Sequence, residues 1–484
     1  VLGMVVKHHP PPHVAQKYRI PKIWKGDLES DIGKSILNCD DNGPTVMMIV
    51  NMTIDPAAGP VAIGRLFSGT IKDGQTVNII DTKREGRVQS VNFFMSNIRE
   101  QVGELGAGNI PALLGLNEAR AGQTISTVKG IDLFEPSKYV SEPVIQMAIE
   151  PKHPKDLPQL VETLRKLTIE DPNLIIKIDE ETGETIMAGM GVLHLDVSVN
   201  LIKDAKIDII TSEPLINYRE TILGSSEVVM AKSPNRHNKI FMRVEPLEPE
   251  IAEMCRDGTL SEMKDKKETT QILRDHGWEP DVAKKVMRFD SRGNVMINGT
   301  KGVQFIDEST DSLLSGFDEV MSEGGLAKEQ VRNCKFTFTH FVPHEDTAHR
   351  GLSQLGPASR RACLGAFLSA DPMILEPMLA IEVRVPTDLI GNVSSVLQGK
   401  RGKVLDMQQK GAASIVIGEV PAVETFDISE KMRGQTAGKA VWNSHFKAWT
   451  PVPKSIGATL LQEIRKRKGL SPDPPQASEF IDKE

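Results

Sequence analysis

The fold class that this sequence predicts is a multidomain α+β chain: an antiparallel β-barrel, then two ferredoxin-like α/β sandwiches flanking an α/β tip domain. Three observations carry the prediction. The chain has 484 residues, too many for a single hydrophobic core. Short strands separated by glycine turns follow one another near its start. A β-α-β-β-α-β order then occurs twice, with a different segment between the two occurrences.

Composition narrows the function classes. Hydrophobic residues make up 39% and charged residues 25%, the balance of ordinary soluble domains. A formal net charge of -7 excludes a generally basic protein, so any RNA contact must be local. The four cysteines, Cys39, Cys255, Cys334 and Cys363, form no C-x-x-C pair and indicate neither a disulfide framework nor a zinc ribbon. No run approaches the ~20 apolar residues that a membrane span needs, and no signal-peptide pattern opens the chain. A cytoplasmic protein without membrane contact is expected.

Taken in order, Val1 to His9 reads as the end of a helix, and His9-Pro-Pro-Pro-His13 as a stiff polyproline linker. Residues 1–25 are therefore expected to be linker, and His8, His9 and His13 exposed linker side chains instead of metal ligands. Ile32-Gly33-Lys34-Ser35 imitates a phosphate-binding loop. That motif needs Gly-x4-Gly-Lys-Ser/Thr, so that backbone N–H groups wrap a phosphate. Here the nearest glycine, Gly26, stands two residues too far away, and no strand precedes it. The Lys34 region reads as loop. With no Asn-Lys-x-Asp motif either, the chain as given is expected to hold no GTP or magnesium, no other cofactor and no catalytic residue.

Residues 26–135 read as the barrel. Val46 to Met52 is a strand; Ala62 to Ile71, the Asp73-Gly74 turn and Thr76 to Ile80 make a hairpin. Residues 141–215 read as the first sandwich. Its strands are Val144–Ile149, Asn173–Ile178, Thr185–Met190 and Lys206–Ile210, with a Glu181-Thr182-Gly183 turn and helices over Lys155–Leu167 and Leu193–Ile202. The second sandwich, residues 373–452, repeats the order: Leu379–Val385, a helix over Thr387–Leu397, Gly402–Met407, Ala413–Ile417, a helix near Ile428–Arg433 and a strand near Lys439–Trp442. Residues 453–484 are expected to form a helix, Ser455 to Leu470, and a tail that straps back onto the tip domain. The helix ends in Arg465-Lys-Arg-Lys468; these cations either complement their own helix dipole or contact RNA phosphates.

Residues 216–372, the tip domain, carry the functional candidates. An alternating run, Asn333 to His340, reads as a strand with Cys334, Phe336 and Phe338 on one face. It delivers Phe341-Val-Pro-His-Glu-Asp-Thr-Ala-His-Arg-Gly351, after which Pro357 to Ala370 reads as a helix with Pro in its first turn. A strand that presents a short charged loop and returns into a helix is a common way to hold a functional tip. Three readings of this loop compete: a solvated turn, a metal site and an RNA-recognition tip. His340, His344 and His349 are near in sequence, but His344-Glu345-x-x-x-His349 is one residue too long for the zinc motif, and Pro343 opposes a helix. Imidazole stacking and the Arg350 guanidinium suit RNA instead. A second polar loop, Ser233-Pro234-Asn235-Arg236-His237-Asn238-Lys239, lies between the strands Glu227–Ala231 and Ile240–Val244. Glu248 to Asp290 reads as outer helices punctuated by Gly277-Trp278.

These motifs resemble the translation elongation factor 2 family of archaeal-eukaryotic type, the counterpart of bacterial elongation factor G. The resemblance is carried by His344, Asp346 and His349-Arg350-Gly351 with a following Gln, by Ser233 to Lys239, and by Gly64-Arg65-Leu66 and Gly69-Thr70-Ile71 in the barrel. It extends from Gln16 to Leu470 in the order barrel, sandwich, tip, sandwich. The resemblance implies a monomeric translocation factor whose GTPase domain would precede this chain. It implies contact with both ribosomal subunits, with Ser233, Pro234, Asn235, Arg236, His237, Asn238, Lys239, His344, Asp346 and Arg350 touching RNA around tRNA and mRNA in the decoding site. His349 would be converted to diphthamide by the diphthamide-synthesis enzymes. Leu352-Ser353-Gln354 departs from the Gly-Gly-Gln of eukaryotic members. The alternative from another class is an autonomous RNA-binding enzyme using His344, Asp346 and His349 as acid-base groups.

Overall fold

The computed structural model describes residues 2–55, 58–96, 98–135, 142–178, 185–262, 264–300, 305–410 and 413–483. The chain divides into two compact units, one ending at Leu215 and the other beginning at Ile216. Both mix helices with sheets, so the protein is a multidomain α+β chain.

In the first unit, eight strands form one sheet with antiparallel neighbours. At its centre, Val46–Asp55 pairs with Gly59–Ser68 on one side and Thr124–Ser126 on the other. Met47, Ile49, Leu66, Val77, Val91 and Ile125 are fully buried in its core, as alternation along the strands dictates. Gly69 is required where it stands: its φ is +76°, and a Cβ would meet the Thr45 backbone at 2.6 Å.

The expected linker is part of this unit. Pro12–Ile23 is a helix that starts on a proline already fixed at a helical φ, so the His9 to His13 run is only in part extended. The helix buries Ile20, and Trp24 follows it into a cluster with Ile36, Val46, Phe67 and Phe134. Gln16, also buried, donates to the carbonyls of Ile36 and Phe67. Nor is the Lys34 region a loop: Asp31–Asn38 is a helix, with the Ser30 hydroxyl accepting from Gly33 N at 3.0 Å.

The same unit contains a smaller antiparallel sheet in the order Ile175–Ile178, Thr185–Gly189, Ile145–Pro151, Ile209–Thr211. Helices Leu157–Glu170 and Val192–Asp204 interrupt it at the places the pattern predicts. The Glu181 to Gly183 turn lies outside the described residues.

The second unit has two sheets. One runs in the order Val229–Lys232, Lys239–Pro246, Cys334–Val342, Asn294–Asn298, Val286–Asp290. Cys334, Phe336, Phe338 and Phe341 are buried, and helices Ile306–Ser322 and Leu352–Leu368 accompany the sheet. Two helix expectations change here. Val286–Asp290 is an edge strand and not part of the outer helices Pro249–Arg256, Lys266–Asp275 and Pro280–Ala283. The second tip helix begins at Leu352, so Pro357 sits inside it.

The other sheet is organised by one long strand, Pro372–Pro386, whose start pairs with Arg219–Ile222 and whose remainder pairs with Ala413–Pro421 and Val441–Pro451. Segments from 216–372 and 373–452 therefore share a sheet. Its base buries acidic side chains. Glu220 is fully buried, and its carboxylate accepts from the backbone N–H groups of Leu326, Ala327 and Glu329 at 2.8, 2.8 and 3.0 Å. Glu376, also buried, forms a two-bond pair with Arg401 at 2.9 Å in each bond.

Candidate nucleic-acid interface

Strand register puts the two polar loops at one end of the tip sheet. Lys232 pairs with Lys239 and Lys239 with Val342, so the loop 233–238 and the loop beginning at Pro343 leave the sheet side by side.

Each loop folds on local side-chain bonds. In the first, Ser233 N donates to Asn238 O at 3.0 Å and Arg236 N to Ser233 O at 2.7 Å, which closes a tight turn. Arg236 takes φ +60° and is exposed. The Ser233 hydroxyl donates to Asn235 Oδ1 at 2.6 Å and accepts from Asn238 N at 3.0 Å. In the second loop, Asp346 Oδ1 accepts from Ala348 N at 2.9 Å and starts the short 3-10 turn Thr347–His349. His344 Nδ1 accepts from Asp346 N at 3.1 Å.

Asn238 then joins the loops. It is 0% exposed, and its side chain reaches across to the second loop with both of its polar atoms. Oδ1 accepts from His344 N at 2.9 Å, while Nδ2 donates to His349 O at 2.8 Å. Gln354, on the first turn of the following helix, adds a second tie by accepting from Asn235 N at 3.0 Å. As a result, His237, His344 and His349 gather their rings into one cluster. Centroids lie 5.0 Å apart for His237 and His344, 5.1 Å for His237 and His349, and 4.7 Å for His344 and His349. Asn235 Nδ2 stands 3.5 Å from His349 Nδ1. His340 is set apart, with its ring 5.4 Å from Phe241. Among the described residues no group of His, Cys, Asp or Glu has the geometry to hold a metal ion.

The surface of this cluster is uneven. Pro234, Arg236, His237 and Asp346 are exposed; Asn235, Lys239, His344 and His349 are half-buried; Ser233 and Asn238 are buried. Arg350 differs from its expected role as an RNA-facing cation. It is 7% exposed, its guanidinium lies 3.8 Å from the Phe305 ring centroid, and Nη2 is 3.4 Å from Glu308 Oε2. The aromatic partner lies 45 positions earlier, so no local motif could show it. Arg465 in the basic helix end is also turned inward, donating to Leu326 O and to Ser471 O, and Lys468 Nζ is 2.7 Å from Glu329 Oε1. Both are structural cations. Asn238 and Gln354 were visible in sequence only as members of polar runs; their bridging roles depend on residues more than a hundred positions away.

Known protein families contain these modules. Four family models match: "Elongation factor Tu domain 2" at residues 59–126, "Elongation Factor G, domain III" at 140–213, "Elongation factor G, domain IV" at 258–371 and "Elongation factor G C-terminus" at 373–460. The second tip loop falls within the third of these matches, and the first loop lies before it. Together they define a translation elongation factor. Relatives sharpen this: the chain is 73% identical over 484 residues to elongation factor 2 of Cenarchaeum symbiosum, covering all of this chain and 66% of that protein. It is 46% identical to elongation factor 2 of Sulfurisphaera tokodaii over 487 residues and of Metallosphaera sedula over 486, covering 99% of this chain and 66% of each relative. The chain belongs to the elongation factor 2 family.

Proposed function

We propose that this chain is the ribosome-binding, translocation-promoting part of an elongation factor 2. In this reading it moves tRNA and mRNA during protein synthesis, and GTP hydrolysis is supplied by a GTPase domain outside the 484 residues. The observation that carries the reading is the joining of two polar loops by Asn238 around His349, at the end of a five-stranded sheet. Exposed Arg236 and half-buried Lys239 supply local positive charge for RNA phosphates, and the histidine rings supply stacking surfaces.

We read the finer architecture in the same way: the eight-stranded sheet as a closed barrel over 26–135, and the sheets within 141–215 and 373–452 as ferredoxin-like sandwiches flanking the tip domain 216–372. The factor acts as a cytoplasmic monomer that contacts both ribosomal subunits. His349 carries diphthamide, installed by the diphthamide-synthesis enzymes, and the added group lengthens the reach of the tip toward the codon–anticodon backbone. The acid-base enzyme reading gains nothing from the geometry. Asp346 spends Oδ1 on the Ala348 N–H, and His349 Nδ1 stands 3.5 Å from the Asn235 amide, which is neither an acid nor a base.

Mass spectrometry of native protein tests the modification, since a peptide spanning His340 to Arg360 with only unmodified histidine mass contradicts it. His349→Ala tests the function. Supplied with its GTPase domain, the variant is expected to fold normally and lose reading-frame maintenance; unchanged translocation rate and frame fidelity would refute the role of this side chain.

A further inference from the structure

The chain's last residues run along the free edge of the tip sheet. Asp482 N donates to Met230 O at 2.8 Å, and Lys232 Nζ donates to Lys483 O at 2.9 Å. Ile481 packs where Gly365, in the helix Leu352–Leu368, has no side chain; a Cβ there would meet Ile481 at 2.9 Å. The Asp482 carboxylate binds both supports of the tip at once. Oδ2 accepts from Lys232 N at 2.7 Å, immediately before Ser233 opens the first loop. Arg361 donates from Nη1 to Oδ2 at 3.0 Å and from Nη2 to Oδ1 at 3.4 Å, and Arg361 stands on the helix that continues from the second loop.

We propose that Asp482 is a positioning residue for the tip: this one carboxylate sets the spacing of the strand that carries the first loop and the helix that follows the second. Its link to RNA binding rests on the function proposed above. Asn238 and Gln354 join the loops at their outer end, and Asp482 holds their supports further down. A contact 250 residues distant in sequence thereby determines where Arg236 and His237 stand relative to His349. Burial pushes the Asp482 carboxyl up, but the Lys232 N–H and the Arg361 guanidinium outweigh it and hold it below the usual carboxylate range. Both contacts are therefore made by the ionised form at neutral pH.

The test uses the full 484-residue chain with D482A and D482N, read by amide hydrogen exchange and by binding to purified ribosomes across a salt titration. In D482A, exchange from Lys232 to Asn238 should accelerate on the order of tenfold, with the strand Val441–Pro451 unaffected. D482N keeps one acceptor for Lys232 N and should recover part of the protection. Unchanged exchange at 232–238, or a uniform rise across the second unit, would overturn the proposal. If exchange rises locally while ribosome affinity stays the same, the positioning role stands and the RNA role assigned to the tip fails.

Discussion

The tip and the base of the second unit solve the same problem with opposite chemistry. Both must fix polar side chains at a junction of segments distant in sequence. At the base, buried acidic and basic groups do this: the Glu220 carboxyl in a set of backbone N–H groups, Glu376 paired with Arg401, and Arg465 on carbonyls. Between the two tip loops themselves, neutral amides and a hydroxyl do it, through Asn238, Asn235, Gln354 and Ser233, with the Asp482–Arg361 ion pair kept to their supports. Neutral clasps leave exposed charge available for a ligand, whereas buried ions are consumed by the fold. Charge counted along the sequence does not separate the two cases.

The largest effect is expected at the base. Arg401→Met leaves Glu376, 3% exposed, without its partner and should destabilise the second unit by about 3–5 kcal/mol, seen as a lower denaturant midpoint. A change below ~1 kcal/mol would mean that the pair is not what fixes this junction.

Acidity tests the base in a second way. Burial pushes the Glu220 carboxyl up to about 7 from an ordinary 4.5, more than the Leu326, Ala327 and Glu329 N–H groups lower it. The native state therefore keeps this proton to higher pH than the unfolded chain does. Its contribution is complete below the ordinary value and is lost as pH rises through about 7. Relative to Glu220→Gln, the wild type should lose about 2 kcal/mol between pH 5 and pH 8. Parallel stability profiles for the two proteins would show that the backbone donors dominate and that the carboxylate is ionised throughout.

At the tip, Asn238→Ala removes acceptor and donor together and strands His344 N and His349 O. A loss of about 1–3 kcal/mol is expected, together with faster amide exchange at 344–351. Loss of stability without loosening of that loop would place the role of Asn238 within its own turn. The smallest stability effect belongs to Arg236→Ala, within ~0.5 kcal/mol because the side chain is exposed.

How much of this was legible follows from sequence distance. The strand Cys334–Val342, both polar loops and the order of helices and strands within 141–215 and 373–452 are written in local alternation and turn residues. The helix Pro12–Ile23 was hidden because three prolines resemble an extended linker, and only the burial of Ile20 and Trp24 reveals its packing. Val286–Asp290 reads as helix in sequence because its sheet partners are supplied by Asn294–Asn298, not by its own pattern. At the tip, residue types marked both loops as polar. They could not mark Arg350 as inward, because Phe305 and Glu308 decide that from another segment.

Ribosome affinity measured against salt, for the wild type and Arg236→Ala, tests the central claim most directly. If a few tip cations contact RNA phosphates, log affinity falls linearly with log salt, and the variant's slope is shallower by about 0.7 for each single-stranded phosphate contact removed. Wild-type binding that does not change across the titration, or an Arg236→Ala slope identical to wild type, would contradict the assignment of this tip to RNA.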